Sequence, residues 1–262
     1  MALIGPWPVY VEVAPLARHA TTIDHLYILR DNGTLSGPGR QRFASPFSEV
    51  RFAVLVTEGK PGLDWQGSRS GVIQQSKARH RPLFGGVAGL RIDRNISAIA
   101  LPSFPANGAE LAIGDLDAVL HALDLAADNI SEQVGGTAIA VPDTPRRADQ
   151  MAGMLGISVR TLRRRVSTAT NIPPKTWLAL HRFRNVTGEI ARSVASLTDV
   201  ALEHGYCDQA HLNADFLRRA GLTPGQFRAR ASTALGADPG RFFKDAGNIE
   251  RLRLLVSLEP DH

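Results

Sequence analysis

The chain has 262 residues, 44% hydrophobic and 21% charged, enough for one large or two modest globular domains, each with its own core. No apolar run approaches the roughly 18 residues of a membrane-crossing helix, and MALIGPWPVYVEV lacks the basic segment, long apolar run and small-residue site of a secretory signal. A soluble, cytoplasmic protein without a membrane partner is the expectation, and the single cysteine, Cys207, excludes both an internal disulfide framework and a multi-thiolate zinc cluster. The net charge of +5 hides an asymmetry: residues 1–145 hold 12 Lys/Arg against 14 Asp/Glu, residues 146–232 hold 14 against 6, and residues 233–262 hold 4 against 5. A positive block confined to one segment suits a polyanion, because each phosphate neutralised releases counterions. Charge alone is equally compatible with a merely solvated basic surface.

The first hundred residues alternate short apolar runs with Gly, Pro and Asn, and IDHLYIL, VRFAVLV, SGVIQQS and ISAIALP are predicted strands joined by turns. Near residue 115 the period changes. Leu116, Val119, Leu120, Leu123 and Ile130 recur at helical spacing behind a candidate N-cap, Asp115, which predicts an amphipathic helix over about 115–130. Its apolar stripe has two possible partners, the chain's own sheet or the same helix of a second copy. Residues 134–145, VGGTAIAVPDTP, lack helical periodicity and carry one charge, so they read as a linker. The division is then 1–133, a sensing or dimerisation domain; 134–145, the linker; 146–232, a helical domain; and 233–262, a C-terminal tail.

From Arg146 the sequence reads as helical throughout, and no strand pattern reappears. ADQMAGMLGISVRTLRRRVSTATN predicts a helix through Leu155, a turn at Gly156-Ile157 and a basic helix capped by Ser158. Short helix, glycine turn and basic helix make a helix-turn-helix pattern. After Pro173-Pro174 one helical run is predicted from about Lys175 to Arg192, with Trp177, Leu180, Phe183 and Val186 as core. SLTDVALEHGYCDQAHLNADFLRRAG then repeats the order, with a helix to about His204, a turn at 205–207 and a helix from an Asp208 cap to about Arg219. A Pro-started helix, TPGQFRARAS, closes the domain.

The two turn-flanked helices have comparable outward faces. On the first, Leu162 and Val166 make an inward pair and Arg160, Arg163 and Arg164 lie outward; arginine binds guanine O6 and N7 bidentately, and phosphate contact is the plainer alternative. On the second, Leu212 and Phe216 point inward and Gln209, Ala210 and Asn213 outward; Gln and Asn suit adenine N6/N7, and Ala a thymine methyl. Asp215, unfavourable near phosphate, is expected to turn toward a neighbouring arginine. His204, Cys207 and His211 fall at tempting intervals, but three groups on a helix end, a turn and a reading helix do not make the four-ligand site zinc requires, so no metal is expected.

Ser158, Leu162, Arg164, Pro174, Arg182, Ala201, Gly205, Tyr206, Phe216, Gly221, Thr223, Pro224, Phe227 and Arg228, in that order and spacing, resemble the C-terminal pattern of AraC/XylS-type transcription regulators over about residues 146–230. Two positions depart from it: Val166 stands where an aromatic is usual, and Ala214 where the second reading helix often carries Arg. The resemblance implies an α+β chain, with a β-rich, cupin-like N-terminal domain ahead of an all-α domain holding two helix-turn-helix units. It further implies a sequence-specific regulator that touches double-stranded DNA through Ser158, Arg160, Thr161, Arg163, Arg164, Gln209, Ala210 and Asn213. A homodimer, a small-molecule effector bound by the N-terminal half and, for an activator, contact with RNA polymerase are implied too. No cofactor and no catalysis are expected. Two rival readings are an N-terminal half that only dimerises and a DNA-modifying enzyme. The second fares badly, since the only cysteine sits in the second turn and no Gly-rich phosphate loop, His-Glu-x-x-His run or Gly-x-Ser-x-Gly elbow is present. Arg79, His80, Arg81 and Arg91 would suit an acidic ligand or a solvated surface. In the tail, the spacing of Ile249, Leu252, Leu255 and Val256 predicts a short helix packing back on a domain.

Overall fold

The computed structural model describes residues 9–31, 48–57, 60–69, 85–92, 116–133, 147–170, 172–236 and 243–257. Within them run β1 (Val9–Val13), a 3-10 turn at Ala17–His19, β2 (Ile23–Asp31), β3 (Ser48–Thr57), β4 (Lys60–Arg69), β5 (Gly85–Ile92) and α1 (Leu116–Gln133). The helices α2 (Ala148–Met154), α3 (Val159–Thr170), α4 (Pro174–Arg192), α5 (Leu197–Glu203), α6 (Gln209–Ala220), α7 (Pro224–Gly236) and α8 (Ala246–Glu250) follow, and β6 (Leu252–Ser257) ends the described chain. The expected α+β class holds. SGVIQQS, ISAIALP, Asp115, the 134–145 linker and Arg79 to Arg81 lie outside the described residues.

The strands form one sheet in the order β4-β3-β5-β2-β1-β6, and every neighbouring pair is antiparallel. The described strands leave β4 and β6 at the two ends of this sheet and carry no barrel closure. β6 corrects the reading of the tail. Among the described residues beyond α7 only α8 is helical, and Leu252–Ser257 instead pairs with β1, Val9 opposite Ser257 and Val11 opposite Leu255. The helical spacing misled because this strand is buried on both faces, so its apolar residues run on rather than alternate.

Alternation along the strands sends side chains to two different cores. Val11, Val13, Leu26, Ile28 and Leu255 join Leu116, Val119, Leu120 and Leu123 of α1 in one cluster. Tyr10, Tyr27, Leu254 and Val256 point the other way, into a cluster with Trp177, Phe183, Val186 and Phe227 of the helical region. The sheet is therefore sandwiched, with α1 on one face and α4 and α7 on the other. The α1 stripe, weighed above as a contact with a second copy, is 0–2% exposed at Leu116, Val119, Leu120 and Leu123, and covers its own sheet.

The tail is fastened to α1 and β1 by polar groups. Arg251 grips the Asp124 carboxylate through both terminal nitrogens at 2.7 and 2.9 Å and donates from Nε to the Ala14 carbonyl at 2.9 Å. Asp117 accepts from the Lys244 N–H at 2.6 Å and from Asn248 Nδ2 at 2.8 Å.

On the opposite face one cation meets two carboxylates. Arg184 of α4 donates to Glu12 Oε2 at 2.9 Å and lies 3.0 Å from Asp24 Oδ2. Tyr10 donates its hydroxyl to Glu12 Oε1 at 2.7 Å, and His25 Nδ1 sits 2.6 Å from Asp24 Oδ2. Burial alone would raise the Glu12 pKa, but the Arg184 charge, with help from His25 and Tyr10, holds it down to about 2. Asp24 is likewise held well below the usual carboxylate range, against its burial, by Arg184 and His25. His25 is lowered by burial and by Arg184, against the opposing pull of Glu12 and Asp24. Burial on α4 presses His181 down to about 4.

Two outcomes follow from these interiors. Leu120→Asp places an unpaired charge in a closed core, so circular dichroism should report an unfolded chain rather than a folded monomer. Acid should act in two ranges. His181 stays neutral when folded while the unfolded chain takes up a proton near 6.5, so its stabilisation is lost as pH falls from about 6.5 to 4. Glu12 and Asp24 contribute stability that is present above the unfolded carboxylate value and lost as pH falls through about 4 toward 2. Melting temperatures between pH 7 and 2.5 should show both, and His181→Phe should reduce the loss in the upper range, where His25 also contributes, while leaving the lower range unchanged.

Candidate nucleic-acid interface

The helical region contains the same device twice. α2 and α5 each end in a glycine of left-handed conformation, Gly156 at φ 62° and Gly205 at φ 77°. The next residue's N–H turns back to an alanine carbonyl, Ile157 to Ala152 at 2.9 Å and Tyr206 to Ala201 at 2.9 Å, while each glycine N–H bonds the residue after that alanine. This is a Schellman stop, and it needs a residue free of the Cβ penalty at positive φ. Ala152 and Ala201 are buried, which lets the two helices of each unit approach closely.

Each second helix then starts on a side-chain cap. Ser158 Oγ accepts from the Thr161 N–H at 3.1 Å and lies 2.9 Å from the Thr161 hydroxyl, and Asp208 Oδ1 accepts from the His211 N–H at 2.7 Å. Leu162 and Val166 of α3, and Leu212 and Phe216 of α6, are fully buried. The outward faces differ in charge. On α3, Arg160, Arg163, Arg164 and Arg165 are all exposed, with Ser158 exposed and Thr161 half-buried beside them. On α6, Gln209, Ala210, His211 and Ala214 are exposed and Asn213 is half-buried.

Asp215 does turn inward. It takes the Tyr206 hydroxyl at 3.0 Å and Arg219 Nε at 2.8 Å, with Arg218 as a third partner. Its burial would raise its pKa, but Arg218, Arg219 and Tyr206 more than offset this and keep it ionised. Burial, with the Asp215 carboxylate beside it, pushes Tyr206 well above its ordinary value, so its hydroxyl remains a donor.

The two units share α4 as a common support. Trp177, Leu180, Phe183 and Val186 are core residues, as their spacing indicated, and the Phe183 ring stands edge-on to Phe216 at 5.0 Å. Arg182 lies over the Tyr206 ring at 4.8 Å and donates to the Gly205 carbonyl at 3.3 Å, which fixes the second turn to α4. With 19 residues, α4 is about 28 Å long at 1.5 Å per residue, comparable to the roughly 34 Å between major-groove segments one turn apart.

Two side chains on these faces, Arg165 and Thr198, and one contact of His211 escaped the sequence reading. Arg165 adds a fourth cation to α3. Thr198 of α5 donates its hydroxyl to Gln209 Oε1 at 3.1 Å, and the Cys207 N–H donates to His211 Nδ1 at 3.4 Å. The first contact crosses the turn and the second leaves from it, where helical periodicity carries no information.

Residues 151–230 match the model of a family described as a helix-turn-helix domain. Among solved structures, a transcriptional regulator from Chromobacterium violaceum, described with AraC-type DNA-binding domain-containing proteins, is 20% identical over 34% of this chain and 79% of its own, with a TM-score of 0.32. No curated protein matches the chain. Among the described residues no helix is long and apolar enough to cross a membrane.

The turn geometry gives a direct test. A Cβ added at Gly156 meets nothing within 4 Å, so Gly156→Ala carries only the conformational cost of its positive φ. Urea unfolding should show a loss of about 1–2 kcal/mol with an unchanged slope.

Proposed function

We propose that this chain, whose residues 151–230 match a helix-turn-helix domain, is a sequence-specific transcription regulator of the AraC/XylS type that grips two successive major-groove segments of double-stranded DNA. The observation that carries the reading is the pair of capped, outward-facing helices α3 and α6 mounted on the single rigid α4. Ser158, Arg160, Thr161, Arg163 and Arg164 are the contacts of the first reader, and Gln209, Ala210 and Asn213 belong to the second. The excess of 14 basic over 6 acidic residues across 146–232 supports it, because phosphate neutralisation supplies affinity that bases then refine.

The β-rich region senses a small effector in this reading, and an activator would meet RNA polymerase through the helical region. The expected homodimer needs a surface other than the α1 stripe, which is spent on the core. The activity is binding, without catalysis.

Duplex binding by the full chain tests the reading. Log K against log salt should fall with a slope of about 0.9 per phosphate contacted, and a slope near zero would sink it. Arg163→Ala should cost about 1–3 kcal/mol of discrimination at one base pair while leaving affinity for random duplex nearly unchanged. An equal loss on specific and random DNA would reduce Arg163 to a phosphate contact.

A further inference from the structure

We propose that α6 is a donor-presenting reader that favours guanine, and that Thr198 is the positioning residue that makes Gln209 behave so. The proposal rests on α6 being the second DNA reader. Gln209 is the first residue of α6 and exposed, and its carboxamide oxygen is engaged by the Thr198 hydroxyl at 3.1 Å. With the oxygen held toward α5, the Nε2 amino group is the end left for a ligand. His211, two residues on, accepts the Cys207 N–H at Nδ1, and its ring stands edge-on to Tyr206 at 5.1 Å. A neutral imidazole that accepts at Nδ1 carries its proton on Nε2, so His211 also presents a donor.

Two oriented donors select for acceptors. Guanine shows two in the major groove, O6 and N7, whereas adenine pairs its N7 acceptor with an N6 donor that requires a free carboxamide oxygen to answer it. Residue type alone would assign Gln209 to adenine; the Thr198 contact turns it to guanine. The helix-turn-helix scaffold does not need this contact. In the first unit the matching places, second residue of α2 and first of α3, hold Asp149 and Val159, and Asp149 pairs with Arg147 at 3.0 Å instead. Both turns close the same way nonetheless.

The experiment is selection of bound duplexes from a random pool by the full chain and by Thr198→Val, Thr198→Ser, Gln209→Ala and His211→Ala, with Arg163→Ala alongside. Gln209→Ala is expected to flatten a guanine preference at one base pair of the α6 half of the site, and His211→Ala to weaken it at the same pair. Thr198→Val, which keeps the shape and removes the hydroxyl, should shift the Gln209 pair from guanine toward adenine by about three- to tenfold, a change on the scale of one hydrogen bond. Thr198→Ser restores the hydroxyl and should keep the wild-type preference, a rescue that a packing role would not give. A wild-type preference for adenine at that pair overturns the donor assignment. A Thr198→Val profile identical to wild type, with Gln209→Ala altered, overturns the positioning role. If Gln209→Ala, His211→Ala and Arg163→Ala all leave the recovered sites unchanged, the reading of α3 and α6 as DNA readers fails with it.

Discussion

The contact on which the rest of the arrangement depends is the meeting of Arg184 with Glu12 and Asp24 across the face shared by the sheet and α4. A charge taken out of water costs several kcal/mol unless it is answered, and here one guanidinium answers two carboxylates while Tyr10 donates to the second Glu12 oxygen and His25 meets Asp24 at the oxygen that Arg184 also holds. Such a cluster tolerates one geometry. It sits at the middle of the helix that carries both candidate readers, and the apolar side chains around it, Tyr10, Tyr27, Leu254 and Val256, belong to the same core as Trp177 and Phe183. The sheet and the reading helices thus share an interior, and the 134–145 segment is not their sole connection.

The two helix-turn-helix units show how one scaffold can carry two surfaces. Their Schellman turns, capped starts and inward apolar pairs coincide, while the outer residues diverge: four exposed arginines on α3, polar and small residues on α6. Asp215 accounts for much of the difference. Buried beneath α6, it engages Arg218 and Arg219 within the protein, so the cations of this helix support the fold before they serve any partner.

Legibility in the sequence followed locality. The helical region was readable nearly to the residue, because its caps, glycine stops and i, i+4 pairs are all local: Ser158, Asp208, Gly156, Gly205 and the stripe on α4 were found where the pattern put them. β2 and the core of β3 were visible as apolar runs. β4 and β5 were not, since KPGLDWQGSR and GGVAGLRI are broken by the glycines and proline that ordinarily punctuate strands. β6 was misread because its identity comes from β1, far away in the chain, and no period in LRLLVS records that. Most of the candidate site residues were accessible from their outward register, whereas the pairing of Thr198 with Gln209 depends on how two helices cross and leaves no trace in spacing.

The place of β6 bears on how the molecule is made. β1 leaves the ribosome before every other described element, yet its neighbour on one side is translated only after all of α1 to α8. Until then the growing chain exposes an open strand edge on β1, while the reading helices, whose contacts are local, can already assemble and bring Arg184 of α4 within reach of Glu12. Completion of the N-terminal sheet is accordingly a late event in biosynthesis. A nascent chain cut short within the helical region would display an unpaired strand of the kind that chaperones hold and that other copies can capture.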